Sequence, residues 1–227
     1  MKKISIAIDG PSAAGKSTIA KKVAKLLGYT YIDTGAMYRC IAYYMLQKGI
    51  ALSDEATVAQ HLSEVDIKLL TDNRVLLNNQ EVNLEIRSDE VSKGASQVAA
   101  YQAVREHLVD LQREMAQDGG VILDGRDIGS VVLPNAELKI YQIASVKTRA
   151  MRRYKENVEK GLPCTLEQIE EDISQRDYND SHRAISPLVK AEDAVEIDTS
   201  EMTIEEVVNS IITLVNERLE ENTCQKQ

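Results

Sequence analysis

The sequence predicts a three-layer α/β domain in which helices cover both faces of a central parallel β-sheet. Short apolar runs bounded by polar, glycine or proline residues alternate with longer segments whose apolar residues recur at helical spacing. A glycine-containing turn joins the first apolar run to the first helical segment. The 227 residues, of which 43% are hydrophobic, can bury a substantial core. We therefore expect a single hydrophobic core with segments that extend from it.

The first elements are a strand at residues 3–9 and a helix at 16–27. The strand alternates and is rich in β-branched residues, whereas the helix repeats apolar side chains at Ile19, Val23 and Leu26. Further buried parallel strands are predicted at 121–123, 138–143 and 194–197. Further helices are predicted at 146–160, 166–176 and 204–219, before a polar tail at 220–227 that we expect to fray.

The segment 65–84 interrupts this alternation. Its apolar residues are interleaved with polar ones on either side of Asn78-Asn79, a pair that favours a hairpin turn. We expect a small inserted β subdomain here. Residues 87–116, which follow it, have helical spacing.

Composition and charge exclude several classes of function. The formal net charge of -9 argues against long DNA or RNA as a partner, because surfaces that track phosphates need an excess of Lys and Arg. The three cysteines and three histidines lack the spacing of a disulfide framework or a metal site, and no histidine is assigned a catalytic role. The amino-terminal apolar run is too short for a signal peptide, and no segment has the length of a membrane span. We expect a reduced, cytoplasmic protein.

Residues 10–17, Gly-Pro-Ser-Ala-Ala-Gly-Lys-Ser, fit the pattern G-x-x-x-x-G-K-[ST] of a P-loop and lie between the predicted strand and helix. The glycines let backbone N–H groups turn inward around phosphates, and the following helix offers its positive N-terminus. Lys16 is expected to bridge terminal phosphates, and Ser17 to ligate Mg²⁺. The alternative is an ordinary strand-to-helix turn that carries a lysine. The residues predicted to bind ATP are Gly10, Pro11, Ser12, Ala13, Ala14, Gly15, Lys16, Ser17 and Thr18.

A second motif follows the predicted strand at 121–123. Asp124 ends that strand and could orient a water on Mg²⁺ beside the first strand, although a strand-terminal Asp often only caps a loop. Arg126 and Asp127 follow at the carboxyl end of the strand, which is the edge where open α/β sheets bind ligands. We interpret residues 124–127 as part of a ligand site.

A set of arginines forms a third feature. Their intervals along the chain are too long for one site on one helix: Arg39, Arg105, Arg126, Arg149, Arg152, Arg153, Arg176 and Arg183. In an acidic protein such arginines are usually solvated or ion-paired. Arg176 and Arg183 differ, because the polar segment 176–183 has no apolar face to bury. Phosphoryl transfer spreads charge over oxygens in the transition state, so mobile cations can close around it and exclude water.

Together, segments 10–17, 33–39, 124–127 and 176–183 give the chain a close resemblance to the bacterial cytidylate kinases over nearly its whole length. The resemblance implies a monomeric enzyme that uses ATP and Mg²⁺ to phosphorylate CMP and dCMP. It also implies a single P-loop kinase unit with three regions. The core comprises 1–33, 117–145 and 184–220, the nucleoside-monophosphate (NMP) region is 34–116 with its β insert at 65–84, and a helical lid spans 146–183.

The resemblance further assigns roles to individual residues, in sets that share a function. Thr34, Arg39 and Arg126 would hold the acceptor phosphate, and Ser96, Arg105 and Asp127 would bind the base. Arg176 and Asp180 would bind the sugar, with Arg183 between acceptor and phosphoryl group. The catalytic cations would be Lys16, Arg126, Arg153, Arg176 and Arg183. The departures from the family pattern are small, with Thr at 34 where Ser is also usual and Met at 37, and neither removes a donor.

The chemistry of cytosine fits the base assignment. Cytosine offers an amino donor at N4 and acceptors at N3 and O2, which suit a carboxylate beside Arg and Ser donors. Uracil reverses the first two groups and would leave Asp127 facing an acceptor, a mismatch of about 1–3 kcal/mol.

Three other functions compete with this interpretation. One is a P-loop kinase for a different nucleotide, a sugar or an acid, against which only the resemblance argues. A GTPase should carry N-K-x-D to bind guanine, and no asparagine in this chain is followed by lysine. A regulator without turnover would bind ATP but release no ADP in response to an acceptor.

Overall fold

The computed structural model describes residues 3–224, with side chains described as far as residue 221. Its strands are β1 (Ser5–Asp9), β2 (Thr30–Asp33), β3 (Ile67–Leu69), β4 (Val75–Leu77), β5 (Gln80–Glu81), β6 (Val121–Gly125), β7 (Leu138–Ile143) and β8 (Val195–Asp198). Its helices are α1 (Lys16–Leu27), α2 (Thr34–Gln47), α3 (Glu55–Gln60), α4 (Asp89–Val98), α5 (Gln102–Ala116), α6 (Val146–Glu159), α7 (Leu166–His182) and α8 (Ile204–Cys224). Short 3₁₀ turns lie at Leu62–Glu64 and Glu85–Arg87, and a π-helical turn lies at Ile128–Val132.

The larger sheet has the strand order β2-β6-β1-β7-β8, and every pair in it is parallel. Asp9, the last residue of β1, lies opposite Gly125 of β6, and Asp33 of β2 lies opposite Asp124. The carboxyl ends of these strands therefore meet at one edge of the sheet, with the P-loop directly after β1. The predicted α/β class with a central parallel sheet is confirmed.

The two faces of the sheet bury different helices, as the alternation of β1 requires. Ile6 and Ile8 pack with α1 and α8 on one face, whereas Ala7 packs with α2, α4 and α5 on the other. A small separate cluster, Ala150, Ile169 and Ile173, joins α6 to α7. Within the described residues, no helix is both long and apolar enough to cross a membrane.

The insert at 65–84 forms an antiparallel sheet of order β3-β4-β5. Asn78 and Asn79 have φ angles of 49° and 64°, the left-handed pair that a tight hairpin turn requires, and the predicted hairpin is confirmed at that turn. One side of this sheet, including Ile67, Val75 and Leu77, joins the cluster that surrounds α2.

Several elements differ from the sequence-based expectation. The sequence pattern did not indicate β2 and α2, and the stretch predicted as helical at 87–116 is divided into a 3₁₀ turn, α4 and α5. The helix predicted to end at Arg176 continues to His182, because the polar side chains of its last turns contact the carboxyl edge of the sheet. α8 continues through Cys224 into the predicted polar tail, and residues 225–227 lie outside the described residues.

Candidate active site

The P-loop contains two glycines with positive φ, and a side chain is sterically excluded at the first of them. Gly10 has a φ of 150°, and a Cβ there would fall on the carbonyl oxygen of Gln142 in β7. Gly15, the residue before α1, has a φ of 88°. The Gln142 side chain also donates to the Ala14 carbonyl at 2.5 Å, so β7 fixes the loop from the neighbouring strand.

Lys16 is buried at the start of α1. Its Nζ donates to the carbonyl oxygens of Gly10 at 2.7 Å and Pro11 at 2.8 Å. Burial and the nearby Arg126 guanidinium lower the pKa of Lys16 to about 7, although Asp124 opposes the shift. The ammonium is therefore within the loop and poorly compensated, which suits it to an incoming anion.

Asp124 connects the P-loop to β2. Its Oδ2 accepts from the Ser17 hydroxyl at 2.8 Å and its Oδ1 from the Tyr31 phenol at 2.7 Å, while Thr34 Oγ1 donates to its backbone carbonyl at 2.7 Å. Burial and the Asp33 carboxylate raise the pKa of Asp124, and Lys16 counteracts that rise. Burial raises the pKa of Tyr31, so its phenol remains a donor at neutral pH.

Asp33 lies beside this group at the start of α2. It caps the helix by accepting from the Ala36 N–H at 2.8 Å, and it pairs with Arg39 at 3.3 Å. Arg87, from the end of the insert, approaches its other oxygen at 3.8 Å. The Nε of Arg39 is buried without a hydrogen-bond partner.

Asp127 lies at the centre of a second buried group. Arg105 of α5 contacts one of its oxygens and Arg183 approaches the other at 3.6 Å. Arg105 also lies over the Tyr38 ring, 5.7 Å from the centroid, and donates to the Ala99 carbonyl. Half-buried Ser96 lies on α4, and no hydrogen bond joins it to Arg105 or Asp127 in the described part of the chain.

Arg126 and the end of α7 form the link between these groups. Arg126 donates to Asp180 at 2.7 Å, and although burial alone would raise the pKa of Asp180, Arg126 holds that pKa below its usual range. Burial and Arg126 together lower the pKa of Arg176 to about 10, and its Nε has no hydrogen-bond partner. Burial and Arg105 likewise lower the pKa of Arg183. Mutually repelling, incompletely paired cations at one edge of the sheet favour an anionic ligand.

The arginines of α6 are arranged differently from the expectation. Arg149 is the buried one, and its Nη1 donates to the Ser12 carbonyl at 2.8 Å and pairs with Asp177 at 2.6 Å. Asp177 in turn accepts from the Ser12 N–H at 2.9 Å, so α6 and α7 both grip the P-loop. Arg153 is partly exposed and pairs with Glu156, and among the described residues no hydrogen bond or ion pair joins it to the P-loop.

Sequence reasoning assigned no role to Asp9, Tyr31, Arg149 or Asp177. Asp9 is buried at the end of β1 and accepts from the N–H groups of Ile128 and Gly129 at 2.8 and 2.7 Å. Burial raises its pKa to about 6. Asp9 thereby holds the turn that follows Asp127. The only signal for it in the sequence is its place as the last residue before the P-loop.

Comparisons with known proteins match this architecture. The model of the family described as cytidylate kinase matches residues 6–217. The cytidylate kinase of Ligilactobacillus salivarius (strain UCC118) is 50% identical over 96% of this chain and 99% of its own length. That of Bacillus subtilis (strain 168) is 51% identical, covering 96% and 98%.

Solved structures show the same fold at low sequence identity. A gluconokinase from Sinorhizobium meliloti 1021 has a TM-score of 0.52 and 14% identity, covering 100% of this chain and 99% of its own. The protein TT1252 from Thermus thermophilus has a TM-score of 0.51 and 16% identity, covering 96% and 99%.

Proposed function

The chain belongs to the cytidylate kinase family, and we propose that it transfers the γ-phosphoryl group of ATP to CMP and dCMP, forming ADP and the diphosphate. The observation that carries the proposal is the buried group of Arg105, Asp127 and Arg183, placed at the same sheet edge as the P-loop. Cytosine needs an acceptor for its amino group and donors for N3 and O2, and a carboxylate flanked by two arginines offers both kinds of group.

The P-loop supports the donor site. Its backbone and the N-terminus of α1 would hold the triphosphate of ATP through residues 10–18, and Lys16 would exchange the carbonyls of Gly10 and Pro11 for phosphate oxygens. Since its ammonium loses hydration in the loop, interaction with phosphate oxygens would be stronger than in water.

The acceptor phosphate would lie between β2 and β6. Thr34, Arg39 and Arg126 supply a hydroxyl and two guanidinium groups there. The Nε of Arg39, which has no hydrogen-bond partner, would donate to a phosphate oxygen. Arg176 and Asp180 would hold the sugar, and Arg183 would stabilise charge on the transferred group. Arg153 would need a movement of α6 to join them.

Cytosine would be recognised at Asp127. Its carboxylate would accept from the N4 amino group, while Arg105 and Ser96 donate to N3 and O2. Asp127 is buried and paired with arginines. If uracil were bound, its O4 acceptor would face the carboxylate without a hydrogen-bond donor, and water could not reach the site to supply one.

The residues present fit a magnesium ion. No cluster of three or more His, Cys, Asp or Glu side chains suited to a metal occurs in the described part of the chain. Magnesium at phosphoryl-transfer sites takes only one or two protein oxygens besides water and phosphate, and Ser17 with Asp124 provides such a set. When bound, the ion neutralises charge that develops on the phosphates.

We propose that the chain is divided into a core, an acceptor region and a lid. Residues 1–33, 117–145 and 184–220 would form the core of a cytoplasmic monomer, 34–116 with its insert the acceptor region, and 146–183 a lid that closes over both nucleotides. The contact of Arg149 and Asp177 with Ser12 supports a lid hinged at the P-loop.

A coupled ADP-release assay tests the proposal across CMP, dCMP, UMP, AMP and GMP, with gluconate and shikimate as non-nucleotide acceptors. We expect CMP and dCMP to give the highest kcat/KM. Preference for a sugar, an acid or another base would contradict the proposed substrate. ATP binding without release of ADP on addition of any acceptor would favour a regulator.

A further inference from the structure

Both oxygens of the Asp124 carboxylate are held by hydroxyl groups. Oδ2 accepts from Ser17 at 2.8 Å and Oδ1 from Tyr31 at 2.7 Å, in a site where Asp124 is only 6% exposed. The terminal torsion of an aspartate is broad, so one hydrogen bond leaves the carboxylate free to tilt. Donors on both oxygens fix its plane.

Tyr31 is itself held in place. It lies on β2, where it pairs with Ile122 of β6, two residues before Asp124. Its half-buried ring packs against the apolar cluster beneath α1, and the Lys21 ammonium lies 5.4 Å from the ring centroid. The phenol hydroxyl therefore reaches Asp124 from a side chain with little freedom, which is the condition for orienting a partner.

We propose that Tyr31 is a positioning residue for the divalent cation, because its phenol fixes the Asp124 carboxylate so that Asp124 and Ser17 present their oxygens together. This inference rests on the proposed function, since it assumes a magnesium–nucleotide complex on the P-loop. Tyr31 acts only through Asp124. Partners of this kind that orient metal-binding groups typically contribute about 10- to 100-fold to metal affinity or activity.

The test is Tyr31→Phe, which removes the hydroxyl and keeps the ring. ATP affinity is measured by calorimetry with and without Mg²⁺, and turnover is measured over a range of Mg²⁺ concentrations. We expect the gain in ATP affinity from Mg²⁺ to fall about tenfold, and the Mg²⁺ concentration for half-maximal rate to rise about as much. ATP affinity without Mg²⁺ and KM for CMP should stay at the parent values.

Tyr29→Phe is the matched control. The Tyr29 hydroxyl accepts from the Ile4 N–H at 3.1 Å, so the variant loses a phenol hydrogen bond just before the same strand without touching Asp124. We expect its Mg²⁺ dependence to equal that of the parent.

A double-mutant cycle with Asp124→Asn separates positioning from a general structural role. In the Asp124→Asn background, Tyr31→Phe should produce no further loss of the Mg²⁺-dependent gain. Because ATP binding is measured without CMP, a parent that fails to phosphorylate CMP would refute the proposed substrate and still test Tyr31. The inference would be overturned if Mg²⁺ increased ATP affinity as much in Tyr31→Phe as in the parent, or if Tyr29→Phe reduced that increase as much as Tyr31→Phe does. It would also be overturned if Tyr31→Phe had its full effect on the Mg²⁺-dependent increase in the Asp124→Asn background. A parent whose ATP affinity does not respond to Mg²⁺ would overturn it as well.

Discussion

Lys16 is the residue whose ionisation should respond most directly to a bound phosphate. In the free protein its pKa is lowered to about 7 by burial and by Arg126, against an ordinary value of 10.5. Phosphate oxygens beside the ammonium favour the charged form and raise the pKa again. Below pH 7 the lysine is charged in both states. Above pH 7 it is increasingly neutral when free and charged when bound, so binding takes up a proton.

We therefore predict proton uptake on ATP binding at about pH 8, well above the second ionisation of a phosphate near pH ~6. ATP affinity should fall as the pH rises from 7 toward 9, with a limit of about tenfold per pH unit for one proton. Calorimetry in buffers of different ionisation enthalpy measures the uptake. Lys16→Met should abolish it, whereas Lys25→Met, which removes an exposed lysine of the same helix, should retain it. No uptake by the parent would show that Lys16 does not meet the triphosphate.

Asp127→Asn tests how the base is recognised. The amide can turn its NH₂ toward O4 of uracil, so the ratio of kcat/KM for CMP to that for UMP should narrow about tenfold or more, with a higher KM for CMP. The buried Arg105 loses a charged acceptor, so the free energy of unfolding should fall by about 2 kcal/mol.

Chemical denaturation measures that loss, and the specificity ratio is measured where the variant remains folded. Asp72→Asn serves as a matched control, because Asp72 forms an exposed pair with Arg74 in the insert. An exposed pair contributes only about 0–1 kcal/mol, so this control should change neither quantity appreciably. A parent-like ratio in Asp127→Asn would mean that Asp127 does not contact the base.

At the level of residues, the sequence predicts backbone geometry where a local pattern requires it. The pattern at 10–17 specifies glycine at two positions, and both Gly10 and Gly15 have the positive φ that glycine favours. The roles of Tyr31 and Asp9 depend instead on hydrogen bonds to residues 93 and 119 positions away. No local spacing could indicate those partners.

At the scale of elements, α6 and α7 share only a small buried apolar cluster. Its buried members are Ala150, Ile169 and Ile173. Val158 in the last turn of α6 is 55% exposed, and Leu162 in the connection to α7 is 50% exposed. Few buried apolar contacts allow local opening at low free-energy cost. At the other end, Arg149 and Asp177 tie both helices to Ser12.

We predict that residues 146–183 exchange amide hydrogens faster in the free protein and become protected when CMP and a non-hydrolysable ATP analogue are both bound. Residues 204–219 of α8, whose buried side chains pack with α1 and β1, should change little and serve as the internal reference. Hydrogen exchange with mass spectrometry resolves the two regions. Equal protection of 146–183 in free and doubly liganded protein would argue against a closing lid.

The elements that the sequence predicted are those with local start and stop signals. α1 was predicted at its observed bounds, between the glycine of the P-loop and Gly28, which has a φ of 64°. β2 has only four residues, of which Ile32 alone is fully buried, and it is defined by pairing with β6 far along the chain. α7 was predicted to end early because Arg176, Asp177 and Asp180, which its last turns place against the sheet edge and the P-loop, are polar and give no apolar periodicity.

At the scale of the whole molecule, an acidic chain with a net charge of -9 concentrates cations at one edge of its sheet. The strand order places the P-loop between β6 and β7, with β2 beyond β6. Asp124, Arg126 and Asp127 lie at the end of β6, where we propose that the acceptor binds, and Gln142 of β7 supports the P-loop, where we propose that ATP binds. Two anionic ligands could therefore meet at this edge, held by local charge rather than by a basic surface.

Phosphoryl transfer from ATP to CMP can be followed directly with an isotopically labelled γ-phosphoryl group. Mass spectrometry of the products from the parent and from Lys16→Ala shows where the label goes, and circular dichroism establishes that the variant is folded. We expect the label to appear in CDP with the parent, no labelled CDP to form with folded Lys16→Ala, and labelled inorganic phosphate to stay at background. Label released to water, or equal CDP formation by a folded Lys16→Ala variant, would contradict phosphoryl transfer on this P-loop.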